Sequence, residues 1–219
     1  MLHHDVIQCI NLMNDVWENE QSNNINKEAA RNNNTFFEAN NQYLFPMIIA
    51  YDISKKLKDV ELSVEFSNDV IKKLRDYIKY AQDSFEQKSV IYPGQYTLPL
   101  KKAYEKMSNE WENIISNLLK DRIEKLSTIK LLWEDDISNI LKCLNNFSSW
   151  PVNVKKYDDF INNYKHSTDT ISEIKLEDDE VYCFLEKIKD KQATLEDLSE
   201  NIVKWIKDND LAGRIMLKI

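Results

Sequence analysis

The sequence predicts an all-α protein: a multi-helix bundle with a long antiparallel helical hairpin and a smaller C-terminal helical unit. Glycine occurs twice and proline four times in 219 residues, so few positions favour the tight turns that strand hairpins require. Apolar residues recur at spacings of three and four along most of the chain, as on one face of a helix. Hydrophobic residues make up 42% of the chain, enough for a buried core.

The N-terminal part is expected to begin with a helix after His4, with Asp5 as its N-cap. Its apolar stripe consists of Val6, Ile10, Met13 and Trp17. Residues 20–41 are polar and rich in asparagine, which predicts a loop containing a short helix. A further helix is expected to begin near Pro46, whose fixed φ suits a first helical turn, and to end at about Lys58.

The long hairpin is predicted from two helices, at about 62–88 and 100–126, with a break near Ser67 or Asn68. The segment Tyr92–Pro99 holds two prolines and a glycine and is the strongest loop signal in the chain. A heptad-like apolar seam, typical of a coiled coil, marks the second helix. The seam consists of Leu100, Tyr104, Met107, Trp111, Ile114 and Leu118.

Beyond the hairpin, apolar spacing continues to Phe147, either in a bent extension of the second helix or in a new helix begun near Ser127. The Trp150-Pro151 dipeptide is expected to end it. A short helix is predicted over Asp158–Tyr164. The polar stretch His166–Thr170 then suggests a boundary between a helical bundle, residues 1–166, and an acidic C-terminal unit, residues 167–219.

The C-terminal unit carries a local excess of acid. Residues 176–200 contain nine acidic residues and three lysines, a net charge of −6. The acids at 177–180 favour a helix N-terminus, Thr194 with Asp197 resembles a weakened capping box, and Ser199 is expected to cap the last helix. Ile215, Leu217 and Ile219 alternate, which favours a short terminal strand; a frayed end or a last helical turn are the alternatives.

Composition excludes several classes of protein. A net charge of −8 disfavours nucleic-acid binding, which needs clustered lysine and arginine. Three distant cysteines disfavour a disulfide framework and suit the reducing cytoplasm. With no signal-peptide pattern and no run of about 18 apolar residues, we expect a soluble cytoplasmic protein without a membrane partner.

Signatures of catalysis are also missing from the sequence. With Gly94 and Gly213 as the only glycines, no phosphate-binding loop or dinucleotide fingerprint exists. The three histidines follow no Glu-x-x-His pattern and the cysteines form no Cys-x-x-Cys pair. No residue is therefore assigned to catalysis, to a cofactor or to a metal.

These observations favour a non-enzymatic helical protein–protein interaction module, or a subunit of a larger complex such as a bacterial defence or toxin-control assembly. The partner would be another protein or a second copy of the chain. Tyrosine and tryptophan are common interface anchors, so Tyr92, Tyr96 and Trp150, which lie at loop signals, are candidate partner-binding residues. The alternating Ile215, Leu217 and Ile219 are the other candidates.

Two alternative functions stay open. A metal-dependent hydrolase or nuclease would need carboxylates from several helices to converge on one ion. The acidic clusters that offer them are 134–136, 158–159 and 177–180. A ligand pocket between helices, lined by tyrosine and tryptophan, is the second alternative.

Overall fold

The computed structural model describes residues 27–86, 93–130 and 132–217. Within these ranges the side chains of residues 27–33, 36–37, 81, 84–86, 93–96 and 134–136 fall outside the description. The predicted first helix, with Val6 and Trp17, lies outside the described residues. In the described ranges the chain forms seven α-helices and no strand, which confirms the all-α prediction.

The helices follow one another along the chain with two short 3₁₀ turns between them. The 3₁₀ turns span Leu57–Val60 and Leu195–Asp197. The α-helices are α1 Lys27–Lys56, α2 Asn68–Glu86, α3 Pro93–Ile129, α4 Glu134–Phe147, α5 Val154–Glu173, α6 Asp179–Lys189 and α7 Glu200–Asp208.

Helix α1 corrects the predicted loop at 20–41, because the chain is helical from Lys27 onward. Pro46 lies inside α1 and not in its first turn. Asn40, Leu44 and Met47 are buried at helical spacing. This packing outweighs the weak helix propensity of asparagine, which costs at most about 0.7 kcal/mol per residue relative to alanine.

An extended segment separates α1 from α2. The predicted helix over 62–88 is wrong in its first six residues, because α2 begins at Asn68, where a break was expected. Leu62 and Val64 are buried while Ser63 and Glu65 are exposed. This period of two is that of an extended chain, so the sequence already contained the signal.

Helix α3 contains the predicted helix over 100–126 and begins earlier. The predicted loop is wrong for residues 93–99, which form the first two turns. Pro93 occupies the first helical position, where its missing N–H is not needed. Pro99 lies six residues further on, nearly two turns into the helix, where its ring prevents one backbone hydrogen bond.

The buried stripe of α3 differs from the predicted seam, because Leu118 is 38% exposed. A straight helix has 3.6 residues per turn and drifts away from a seven-residue repeat. Its buried residues are Leu100, Ala103, Met107, Trp111, Ile115, Leu119, Leu126 and Ile129.

Contacts to α3 from the first turn of α2 and from the two residues before it follow an antiparallel order. Phe66 stacks on Trp111, the Ser67 N–H donates to Glu110 at 2.9 Å, and Asp69 pairs with Lys106 at 3.0 Å. As the residue number rises from 66 to 69 near the start of α2, the number of the partner residue on α3 falls from 111 to 106. The two helices therefore run in opposite directions.

The chain after α3 forms a new helix, α4, with Trp133 at its N-cap. The predicted helix over 158–164 is too short, because α5 spans Val154–Glu173 and includes the polar stretch His166–Thr170. Ser167 is fully buried; its hydroxyl donates to the Tyr164 carbonyl and accepts from Arg122 at 2.8 Å. Buried hydroxyls satisfied in this way are compatible with a continuous helix.

By internal contact the chain divides into two compact units. The first unit is Met1–Ile114 with Trp150–Val154, and the second is Ile115–Ser149 with Lys155–Ile219. The division therefore falls within α3 and again near Pro151. The predicted limit at residue 166 lies inside the second unit.

The predicted caps at Thr194 and Ser199 are confirmed, and Asp178, expected in a helix N-terminus, is itself a cap. The Asp178 carboxylate accepts from the backbone N–H groups of Glu180 and Val181. Thr194 and Asp197 form a capping box, and the Ser199 hydroxyl accepts from the Ile202 N–H at 3.1 Å.

The predicted terminal strand is not observed over Ile215–Leu217. Ile215 and Leu217 are half-buried and Met216 is exposed; the alternation in sequence appears as alternating burial. None of the helices in the described ranges is long and apolar enough to cross a lipid bilayer.

Candidate functional site

A cleft of about 580 Å³ lies within the second unit, where α4 and α5 supply most of its lining. Asn139, Lys142, Cys143 and Asn146 line it from α4. These positions are three, four and seven residues apart, so they share one face of the helix. The volume lies in the range of small-ligand sites.

The opposite wall comes from Lys156, Asp159 and Asn163 on α5. The Lys156 ammonium donates to the Ser149 carbonyl at 3.1 Å, and the Asn163 side-chain amide donates to the Asp159 carbonyl at 2.8 Å. These two hydrogen bonds position the side chains of that wall.

The base of the cleft is an aromatic stack. Phe147 lines the cleft but is only 1% exposed. Its ring stacks on that of Phe160 with centroids 3.8 Å apart and planes 10° apart. The stack joins α4 to α5 and fixes the spacing of the two polar walls.

The Cys143 thiol is half-buried in the same cleft. Burial raises its pKa, the Asp159 carboxylate acts in the same direction, and a hydrogen bond from Asn163 partly offsets both. A raised pKa keeps the thiol protonated, and the protonated form is a poor nucleophile. The electrostatics of the cleft therefore do not activate Cys143.

Several polar groups of the cleft are unused in the described part of the chain. The side-chain amides of Asn139 and Asn146 form no hydrogen bond there, and Lys142 and Asp159 form no ion pair. All four residues are exposed. The cleft thus offers two amides and two charges of opposite sign.

The aromatic candidates from the sequence lie elsewhere. Tyr92 falls outside the described residues; Tyr96 lies in the first turns of α3, with its side chain outside the description. Trp150 belongs to the first unit, where its half-buried ring meets Tyr104 edge to face at 5.5 Å. Tyr104 meets Tyr43 in the same way at 5.4 Å. Trp150 is therefore packed within an aromatic row.

The terminal candidates lie in the second unit. Ile215 and Leu217 are half-buried, and Ile219 falls outside the described residues. Among the described residues of this segment, Met216 has the most exposed apolar side chain, at 91%, and it is not among the residues predicted from the sequence. Alternation places position 216 opposite 215 and 217, so the signal was present.

The acidic cluster at the start of α6 is engaged in helix capping. Hydrogen bonding from the Val181 N–H lowers the pKa of Asp178, with a further contribution from Asn201. The Ser199 hydroxyl and then the Asn201 amide lower the pKa of Glu180.

Within the described ranges no group of three His, Cys, Asp or Glu side chains is placed to hold a metal ion. The side chains of 134–136 fall outside those ranges.

No protein-family model matches the sequence, and no curated protein or solved structure proves similar to it. Function is therefore inferred from the side chains and their geometry alone.

Proposed function

We propose that the protein is a non-enzymatic helical module that binds another protein through the surface around Met216 in the second unit. The observation that carries this proposal is the 91% exposure of Met216 on a segment that is otherwise held in place. Methionine is flexible and polarizable, and it is frequent in surfaces that adapt to protein partners.

The segment that presents Met216 is anchored on both local and distant groups. Leu211 is fully buried, and the Arg214 N–H donates to the Leu211 carbonyl at 2.9 Å. The Arg214 guanidinium reaches the Leu132 carbonyl at 3.4 Å. Single exposed apolar residues are common, but the backbone of an anchored segment loses little further conformational entropy on binding.

The charge of the second unit favours a basic partner. Residues 176–200, which belong to the same unit, carry a net charge of −6. Leu195 within this range is 62% exposed and is a second exposed apolar side chain of the same unit. Interfaces commonly combine apolar anchors with complementary charge around them.

The proposal is tested with full-length protein carrying Met216→Glu or Leu195→Glu, and with Met216→Leu as the matched control. Partners are captured by cross-linking in the cells that produce the protein, identified by mass spectrometry and then purified. Isothermal titration should show at least a tenfold weaker Kd for Met216→Glu, equivalent to about 1.4 kcal/mol. Met216→Leu should bind like the wild type.

Light scattering of the purified protein distinguishes a second copy from a different partner. A dimer that Met216→Glu converts to a monomer would identify the partner as another copy of the chain. Unchanged binding by both glutamate variants would refute the proposed surface.

A further inference from the structure

We propose that the α4–α5 cleft binds an extended acidic segment of a partner protein. In this arrangement Asn139 and Asn146 pair with its backbone and Lys142 pairs with one of its carboxylates. The inference goes beyond the proposed function, because it involves none of the residues around Met216.

The spacing of the Asn139 and Asn146 amides suits an extended peptide. Asn139 and Asn146 are seven residues apart on α4, or about 10.5 Å at 1.5 Å per residue. Three residues of an extended peptide cover about 10 Å. Peptide groups three residues apart present one C=O and one N–H to the same edge, so one amide can donate to the first and the other can accept from the second. Each side-chain amide has both donors and an acceptor, the combination that a peptide backbone presents.

The stacked base of the cleft excludes several other ligands. Sugars and nucleobases are commonly held by stacking on open aromatic faces. The aromatic residue of this lining, Phe147, is 1% exposed and its ring is already stacked on Phe160. An apolar small molecule would offer no hydrogen-bonding group to the six of nine lining residues that carry an amide or a charge. A peptide backbone suits such walls better.

The charge of the cleft lining favours acidic side chains in the bound peptide. Lys142 and Lys156 face a single carboxylate, Asp159, among the lining residues. Lys156 is held at the Ser149 carbonyl, whereas Lys142 forms no ion pair in the described part of the chain. Lys142 is therefore the group that attracts a carboxylate, and Asp159 opposes it.

The experiment uses full-length protein and a phage-displayed library of random short peptides. Selected peptides should be enriched in aspartate and glutamate. The most enriched peptide is then synthesised with a fluorescein label, and its Kd is measured by fluorescence anisotropy. High salt should weaken its binding, because the charge pair is exposed to solvent.

Substitutions at four exposed positions of the cleft should change the affinity for the peptide in different directions. Asn139→Ala with Asn146→Ala should weaken binding about tenfold, since the pair of substitutions removes two hydrogen bonds to the peptide backbone. Lys142→Glu should weaken it about fivefold or more and shift a repeated selection toward basic peptides. Asp159→Asn should strengthen it about twofold. Lys165→Glu, an exposed lysine of α5 outside the lining, is the charge-matched control and should have no such effect.

Three outcomes would overturn the inference: no enriched peptide, an enriched set without acidic residues, or an affinity that Lys142→Glu leaves unchanged. Binding of the labelled peptide by Met216→Glu should equal that of the wild type. Failure at the cleft with success at Met216, or the reverse, therefore separates this inference from the proposed function. Circular dichroism verifies that each variant is folded.

Discussion

Helices α1 and α3 differ from α6 and α7 in what makes them helical. The first pair are long, and each contains an internal proline, Pro46 and Pro99. The second pair are short, and side-chain caps at Asp178 and Ser199 begin them. Long helices here depend on a buried stripe, whereas short helices depend on local hydrogen bonds at their ends.

The difference explains where sequence patterns mislead. A cap acts within a few residues, so its pattern fixes the start of a helix without knowledge of the rest of the fold. A proline signals a loop only when nothing opposes it, and burial of Leu100 and Met107 on α3 outweighs that local preference. In the long helices, substitutions that remove buried packing should therefore have the largest effect on stability.

Of the substitutions that test this comparison, Trp111→Ala should have the largest effect on the free energy of unfolding. Trp111 is fully buried on α3 and stacks on Phe66, so its removal should lower the free energy of unfolding by about 3–5 kcal/mol. Leu98→Ala, at a position of α3 that is 58% exposed, should change it by less than about 0.5 kcal/mol. Urea unfolding followed by circular dichroism measures both, and equal losses would contradict the packing account.

Pro99→Ala should stabilise the protein. Proline in a helix interior costs about 3 kcal/mol relative to alanine, and the greater freedom of the unfolded alanine chain returns about 0.4–1 kcal/mol. The net gain in unfolding free energy should be about 2 kcal/mol, and Pro99 is exposed, so little packing is lost. Pro93→Ala, at the first helical position, is the control and should give almost no gain. A loss of stability in Pro99→Ala would mean that the proline is needed.

The smallest effect concerns the capping box before α7. The Lys187 ammonium, then the Thr194 backbone N–H and the Thr194 hydroxyl, lower the pKa of Asp197 to about 2 from an ordinary value of 3.8. Because the folded-state pKa is depressed, Asp197 contributes stability above about pH 4, and this stability is lost as the pH falls toward 2.

Melting temperatures measured across that pH range test this contribution. Asp197→Asn should melt lower than the wild type near neutral pH and lose less stability on acidification. Asp169→Asn removes the same charge from an exposed position of α5 and should keep the wild-type slope. Equal slopes for Asp197→Asn and the wild type would exclude the capping box as the source.

Sequence patterns were sufficient for the all-α class, the antiparallel hairpin, and the caps at Thr194 and Ser199. Each of these depends on spacing within a few turns, or on the scarcity of glycine and proline along the whole chain. The alternation at Leu62 and Val64 and the exposure of Met216 were also encoded locally, as a period of two.

Tertiary structure alone decided the helical state of the asparagine-rich start of α1 and the assembly of the cleft. Asn139 and Asn163 both read as polar helix positions, because a helical period shows which face is polar but not which second helix faces it. The Phe147–Phe160 stack brings the two walls together, and that pairing depends on packing across distant positions. Local spacing thus determined the helices of this protein, whereas long-range burial determined which polar faces form a site.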